Sequence, residues 1–283
     1  MRRGGLLAVL AVFVVLSGCT AVQIGYNNAD TLIHWRASRY FGFEGEQKAE
    51  FERRVQHFLA WHRKTELAQY ASFANALGER VARGVSQSDL VWGYDSFQAL
   101  LRQTLRGAAA ETGDLLDTLA PAQVEQFQAR LEKENRNHAK EYGLADPPEE
   151  RRAKRAKRNV ERLEAWFGTL SDAQVERVRL HSMRAPLDDG LRDADRKRLQ
   201  QELVAMVKAR EARHKLAHRA LAWDQNRDPA YESLRKENLR EYYSMLLDLD
   251  KTLSAEQRSR AVQRLRGFAA DFSTLIAAAG GAR

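Results

Sequence analysis

Leu170-Ser171-Asp172-Ala173-Gln174-Val175 carries, in six residues, the full grammar of a helix start. Ser171 sits at the N-cap, where its hydroxyl can accept from an orphan backbone N–H. Gln174 sits three residues on, where its amide can return the bond, and Leu170 and Val175 flank the pair as a hydrophobic staple. The arrangement recurs. Val85-Ser86-Gln87-Ser88-Asp89-Leu90 has Asp in place of Gln, and Leu253-Ser254-Ala255-Glu256-Gln257 has Arg258 in place of the second apolar residue. Leu119-Ala120-Pro121-Ala122-Gln123-Val124 has Ala at the cap but Pro at N1, where a missing N–H leaves nothing unpaired. Asp146-Pro147-Pro148-Glu149 and Asp228-Pro229 are two further starts.

Between these starts the apolar residues follow a 3.6-residue period. Phe51, Val55, Phe58 and Leu59 share a face, as do Val160, Leu163, Phe167 and Leu170, and Leu234, Leu239, Tyr242, Leu246 and Leu249. Ala153 and Ala156 extend the second stripe. Helices are predicted over 29–40, 46–82, 87–111, 121–142, 148–168, 172–183, 190–225, 229–251 and 255–278. Long helices with short connections predict an all-α fold, a multi-helix bundle of long antiparallel amphipathic helices without a sheet. The breaks near 146–148 and 185–187 are the candidate hinges, and residues 29–283 are expected to form a single helical domain.

The first residues follow a different rule. Arg2 and Arg3 precede an apolar stretch from Leu6 to Leu16. That stretch is shorter than the roughly 20 residues a permanent span requires. It ends in Leu16-Ser17-Gly18-Cys19, and Cys19 is the one cysteine in 283 residues, which excludes an intrachain disulfide. These four residues resemble the lipobox of bacterial lipoproteins. The resemblance implies cleavage after residue 18, a covalent lipid on Cys19, and several acyl chains that together anchor firmly. Thr20, where inner-membrane retention would place Asp, implies the outer membrane, facing the periplasm. Residues 19–28 then read as a short lipidated tether.

Charge bounds the partners. The chain carries 46 Lys and Arg against 38 Asp and Glu, for +8, which falls to +6 once Arg2 and Arg3 are removed. Export argues against nucleic acid as the partner. Anionic head groups, lipopolysaccharide phosphates and acidic envelope proteins remain, as does plain solubility.

The repeated start resembles the LTxxQ motif of small periplasmic helical chaperones and stress adaptors of the Spy and CpxP type. It appears at 119–123, 170–174 and 253–257, with a looser copy in Phe43-Glu44-Gly45-Glu46-Gln47. The glutamines stand 76, 51 and 83 residues apart, so this is no solenoid. Ser or Ala replaces Thr, and local capping alone also accounts for the pattern. Over nearly all of its mature length the chain is similar to an uncharacterised family of proteobacterial helical lipoproteins, a domain of unknown function. The residues that carry this are the lipobox, Gly25-Tyr26-Asn27-Asn28-Ala29-Asp30, Trp35, Glu46-Gln47 and Met183-Arg184-Ala185-Pro186-Leu187.

No catalytic motif stands out. There is no G-x-S-x-G elbow and no phosphate-binding G-x-x-x-x-G-K-[ST] loop. His214 and His218 stand four apart but flank Lys215 in a basic stretch that disfavours a metal, while His57 and His62 point apart. No cofactor, metal ligand or small-molecule substrate is expected beyond the lipid on Cys19. The five tryptophans, one per helix, read as core or groove-rim residues, and Tyr26, Asn27, Asn28 and Asp30 as helix caps. The run Arg151-Arg152-Ala153-Lys154-Arg155-Ala156-Lys157-Arg158 is either a solvated face or a patch for anionic surfaces, with Arg151, Arg152, Lys154, Arg155 and Arg158 as its binding residues. A second run, Lys208, Arg210, Arg213 and Lys215, is expected to complete a basic rim around a concave face. The expected role is non-catalytic binding, chaperone-like or adaptor, with envelope proteins as partners. The alternatives are a purely structural lipoprotein, or a hydrolase of envelope polymers using Asp188 and Asp189. Adjacent helical residues diverge by about 100°, which sets that pair apart.

Overall fold

The computed structural model describes residues 20–280, and every regular element among them is a helix. In chain order these are α1 (Ala21–Asn27), α2 (Ala29–Phe41), α3 (Gly45–Trp61), a π-helical turn (His62–Glu66), α4 (Leu67–Arg83), α5 (Gln87–Leu116), α6 (Pro121–Glu141), α7 (Pro148–Phe167), α8 (Asp172–Arg184), α9 (Asp189–Lys208), α10 (Ala212–Leu221), α11 (Pro229–Asp250) and α12 (Ala255–Gly280). The lipobox and Cys19 lie outside the described residues. None of the described helices is long and apolar enough to cross a membrane.

The predicted starts hold. Ser86 accepts from the N–H of Asp89 at 3.2 Å while Asp89 accepts from Ser86 N–H at 3.0 Å. Ser171 and Gln174, and Ser254 and Gln257, make the same reciprocal bonds. At Ala120 only the return bond exists, from its N–H to Gln123 Oε1 at 2.9 Å.

These glutamines do more than cap. Gln174 Nε2 donates to Gln257 Oε1 at 2.9 Å, and Gln257 Nε2 donates back to Gln174 Oε1 at 3.0 Å. Each also donates to a backbone carbonyl just before the other helix, Thr252 or Thr169. The starts of α8 and α12 are thereby tied together, with Leu170 and Leu253 packed in one core beside Leu163, Val178, Met245 and Leu249. The same knot joins α3 and α6. Gln123 Nε2 donates to Gln47 Oε1 at 2.8 Å and to Gly42 O at 3.1 Å, and Gln47 Nε2 donates to Thr118 O at 3.0 Å. Phe43 and Leu119 lie beneath it in a second core with Phe51, Val55, Leu115, Leu116 and Val124. A third, thinner core pairs α4 with α12 through Ala71, Ala74 and Ala269. Small side chains let these two helices approach closely.

Two expectations are corrected. The helix predicted over 190–225 breaks at 209–211, where Arg210 adopts φ +56°. Asp117, at the end of α5, caps the new start from across the fold: Ala212 N–H donates to its Oδ1 at 2.8 Å and Arg213 N–H to its Oδ2 at 3.0 Å. Gly113 makes that approach possible, because a Cβ there would lie 3.0 Å from the Ala212 carbonyl oxygen. The segment 20–28, expected to be a tether, is instead helical and docked. Thr20 caps α1, buried Gln23 donates to Asp271 Oδ1 at 2.9 Å, and Arg63 donates to Asn27 Oδ1 at 3.3 Å. His62 in the π turn bridges the Tyr26 and Tyr70 hydroxyls at 3.0 and 3.2 Å, and burial lowers its pKa, so it acts there as a neutral imidazole.

Candidate functional site

The basic run of α7 separates into two sides once it is helical. Lys154 pairs with Asp146, Arg152 with Glu149 at 2.8 Å, and Lys157 with Glu161 at 3.9 Å, on the outer side. Arg151 is half-buried, with its Nε unpaired. Arg155 and Arg158 turn inward and, with Arg162, line a cleft of about 420 Å³ bounded by α7, α8, α9 and α11. Such a volume lies in the range of small-molecule sites. Other parts of the fold complete the wall: Tyr94 and Gln98 from α5, Tyr142 after α6, and Trp223 and Arg227 from the link after α10.

Six arginines line this space, and they do different things. Arg155 is a clamp. Its guanidinium donates to the carbonyls of Ser182 (2.6 and 3.0 Å), Ala185 (2.5 Å) and Pro186 (2.8 Å), tying down the break near 185–187. Burial lowers its pKa, with Arg152 and Arg158 adding to the effect against Asp189 and Asp188. Arg192 pairs with Asp189 at 3.0 Å. Arg227 pairs with Asp195 and Glu232, and Arg235 pairs with Glu232 at 2.8 Å and donates to Tyr94 Oη at 2.9 Å. These contacts hold Glu232 down to about pKa 2, chiefly through Arg235. Arg158 and Arg162 have no carboxylate partner among the described residues. Arg158 and Arg192 both lie 5.1 Å from the centre of the Tyr142 ring, within cation–π range.

Three polar atoms of the lining residues lie behind the cleft wall. Arg192 Nε, Arg227 Nε and Trp223 Nε1 are buried and without a hydrogen-bond partner among the described residues. All three are donors. These atoms are closed off from the cleft, and Arg227 Nε faces Asp195 at 3.8 Å, so the positive charge that the cleft offers a ligand comes from Arg158 and Arg162. Tyr231, buried on the same wall, has its hydroxyl pKa raised by burial and by the nearby Asp188 carboxylate, and stays protonated.

The carboxylates were misplaced by sequence logic. Asp188 is the N-cap of α9 rather than a helical residue, so it and Asp189 both line the cleft, joined by Glu241 from α11. Asp189 is held by Arg192, and Glu241 lies 3.7 Å from Arg184 and 3.5 Å from His181. His181 accepts from Arg184 at Nδ1 (2.7 Å) and donates from Nε2 to Asp248 (2.8 Å). The neighbouring Ser182 hydroxyl donates to Val178 O at 2.7 Å and is not aimed at the imidazole.

The remaining candidates lie elsewhere. The Lys208–Lys215 run is not part of the cleft rim: Arg213 pairs with Asp114, Lys215 with Glu211, and Arg210 donates to Asp117 O. His214 and His218 are exposed, and exposed His57 pairs with Glu111 at 2.7 Å. No metal-holding group of three or more His, Cys, Asp or Glu occurs among the described residues. Of the tryptophans, Trp223 lines the cleft and Trp35 is exposed. Sequence reasoning missed Tyr142, Arg192, Arg227, Tyr231 and Arg235. The one usable signal was Asp146-Pro147-Pro148, a reversal that faces the end of α6 toward α7.

Residues 39–230 match the model of a family described as a family of unknown function, DUF6279. The chain belongs to this DUF6279 family. No curated protein and no solved structure matches it. The DUF6279 match takes in the α7 arginines, Tyr142, Arg192, Trp223 and Arg227. It stops short of Tyr231, Arg235 and Glu241 on α11, and begins after most of α2.

Proposed function

We propose that this protein is a lipid-anchored envelope protein, held at the outer membrane through Cys19, that binds an anionic saccharide in the arginine and tyrosine cleft without transforming it. One observation carries the ligand class: Arg158 and Arg162 line the cleft beside aromatic rings and have no carboxylate partner among the described residues. An acid or phosphate group satisfies Arg158 and Arg162, a ring lies against Tyr142, Trp223 and Tyr242, and hydroxyls donate to Asp188. The envelope placement rests on Leu16-Ser17-Gly18-Cys19-Thr20.

A hydrolytic reading has one observation in its favour, the presence of Asp188, Asp189 and Glu241 in one cleft. Two of these are engaged by cations. General acid–base cleavage asks for a pair that works across an open gap. Binding is therefore the preferred function.

Calorimetry with glucose 1-phosphate, glucuronate and glucose tests the proposal. The two acids should bind and glucose should not, with affinity falling as salt rises. Arg158→Glu with Arg162→Glu should weaken binding on the order of tenfold to a hundredfold, the effect of losing one or two charge-assisted hydrogen bonds. Equal binding of glucose, or an unaffected double variant, would overturn the assignment. Turnover of an oligosaccharide that is abolished by Asp188→Asn would favour hydrolysis.

A further inference from the structure

α1 and α2 run nearly end to end, since the backbone bonds Asn28 N–H to Ile24 O and Leu32 N–H to Asn28 O carry the helical ladder through Asn28. Their inner side is committed. Gln23 is buried on Asp271, Tyr26 on His62, and Ala37, Ile33 and Phe41 pack into the core with Phe43 and Phe51. Their outer side is unusual. Ile24, Leu32 and Trp35 are 53, 57 and 56% exposed, and at spacings of eight and three residues they fall on one helical face. Arg36 and Arg39 stand among them, with the Arg39 guanidinium 4.7 Å from the Trp35 ring. The one acidic residue of this stretch, Asp30, lies on the other side of the helix and bonds to Thr31 and Gln56.

We infer that this face lies in the head-group layer of the membrane, with Ile24, Leu32 and Trp35 inserted and Arg36 and Arg39 against lipid phosphates. The inference rests on the anchored reading above. It follows from position, because Ile24 is five residues from Cys19, and a docked α1 leaves no slack for the face to turn away. It follows also from composition. An outward apolar row with Trp and Arg, and with no acidic residue, is what an interfacial helix carries. Because α1 and α2 are fixed to the body by the Gln23, Tyr26 and Asn27 bonds, insertion orients the whole molecule.

The test uses the full-length protein purified from membranes and reconstituted into phosphatidylethanolamine–phosphatidylglycerol vesicles with brominated acyl chains. Trp emission should be quenched. Trp35→Phe should abolish that quenching, and Leu32→Glu should reduce it while leaving thermal unfolding unchanged. The mass of the N-terminal fragment reads acylation of Cys19 separately. Acylated protein whose emission is unquenched, or whose quenching survives Trp35→Phe, overturns the membrane face and leaves the anchor standing. Unacylated Cys19 with Trp35 still quenched overturns the anchor and leaves the face.

Discussion

The two glutamine knots are built to one plan and finished differently. At the start of α8 and α12 both helices have Ser caps, both glutamines donate to each other, and Gln174 is buried. At the start of α3 and α6 the caps are Glu44 and Ala120, neither of which offers a side-chain cap bond, and the donation runs one way, from Gln123 to Gln47. A primary amide presents a donor and an acceptor at one tip. It can therefore close its own capping box through Oε1 and still reach a second helix through Nε2. Local capping and tertiary tethering are consequently not rival accounts of the leucine-x-x-x-glutamine pattern. The side chain does both where two starts meet.

Truncation separates the knots. Gln174→Ala removes the acceptor of Ser171 N–H, the donor to Thr252 O and both bonds to the Gln257 amide, and should destabilise by about 2–4 kcal/mol, read by denaturant unfolding. Gln123→Ala, in the half-buried and less reciprocal knot, should lower stability by about 1–2 kcal/mol. Equal losses would mean that the second amide bond adds nothing. Exchanging caps sharpens the contrast at smaller scale: Ser171→Ala should be unfavourable by about 1 kcal/mol, whereas Ala120→Ser should gain a fraction of that by supplying the missing acceptor.

Acid should distinguish both knots from the third capping box. Amides do not titrate, but Asp89 in the Ser86 box is held down to about pKa 2 from 3.8, mainly by hydrogen bonds from Ser86, with Arg83 adding to them. A depressed carboxylate contributes fully above its unfolded pKa, and that contribution fades as pH falls from about 4 toward about 2. Exchange protection at the start of α5 should decline across that window, while the starts of α8 and α12 keep theirs. Parallel decline at all three would break the distinction.

Helix starts were legible because Ser, Pro and Gln act within three residues of where they sit. The break after Lys208 was not, because its cap, Asp117, lies some ninety residues upstream and replaces a bond that local sequence never supplies. The docking of α1 was hidden for the same reason: Gln23, Tyr26 and Asn27 look like polar tether residues until Asp271, His62 and Arg63 are beside them. For the cleft, the α7 run gave the sign of the charge and two of the lining residues. It did not show which arginines face inward, since a 3.6-residue period sorts faces only once the buried side is known. Ala153, expected in the buried stripe, is in fact exposed. Asp188 and Asp189 were set apart by treating both as helical, an error that the N-cap position of Asp188 explains.

The length of α6 has a further consequence. Near its start, Phe127 packs at a tilt against Phe41 at the end of α2, with ring centres 4.9 Å apart, and just past its end stands Tyr142 in the cleft. Fifteen residues of helix at 1.5 Å each make a strut of about 22 Å. The strut fixes how far the cleft can stand from the face of α2, much as a boom fixes the reach of a crane. If α2 lies on the membrane as inferred, a ligand held in the cleft stands within that arm's length of the lipid surface. Adding seven residues to α6 would lengthen the arm by about 10 Å while returning Tyr142 to nearly the same side. The working height of the site is thus written in helical turns, a quantity that evolution can adjust in steps without redesigning either end.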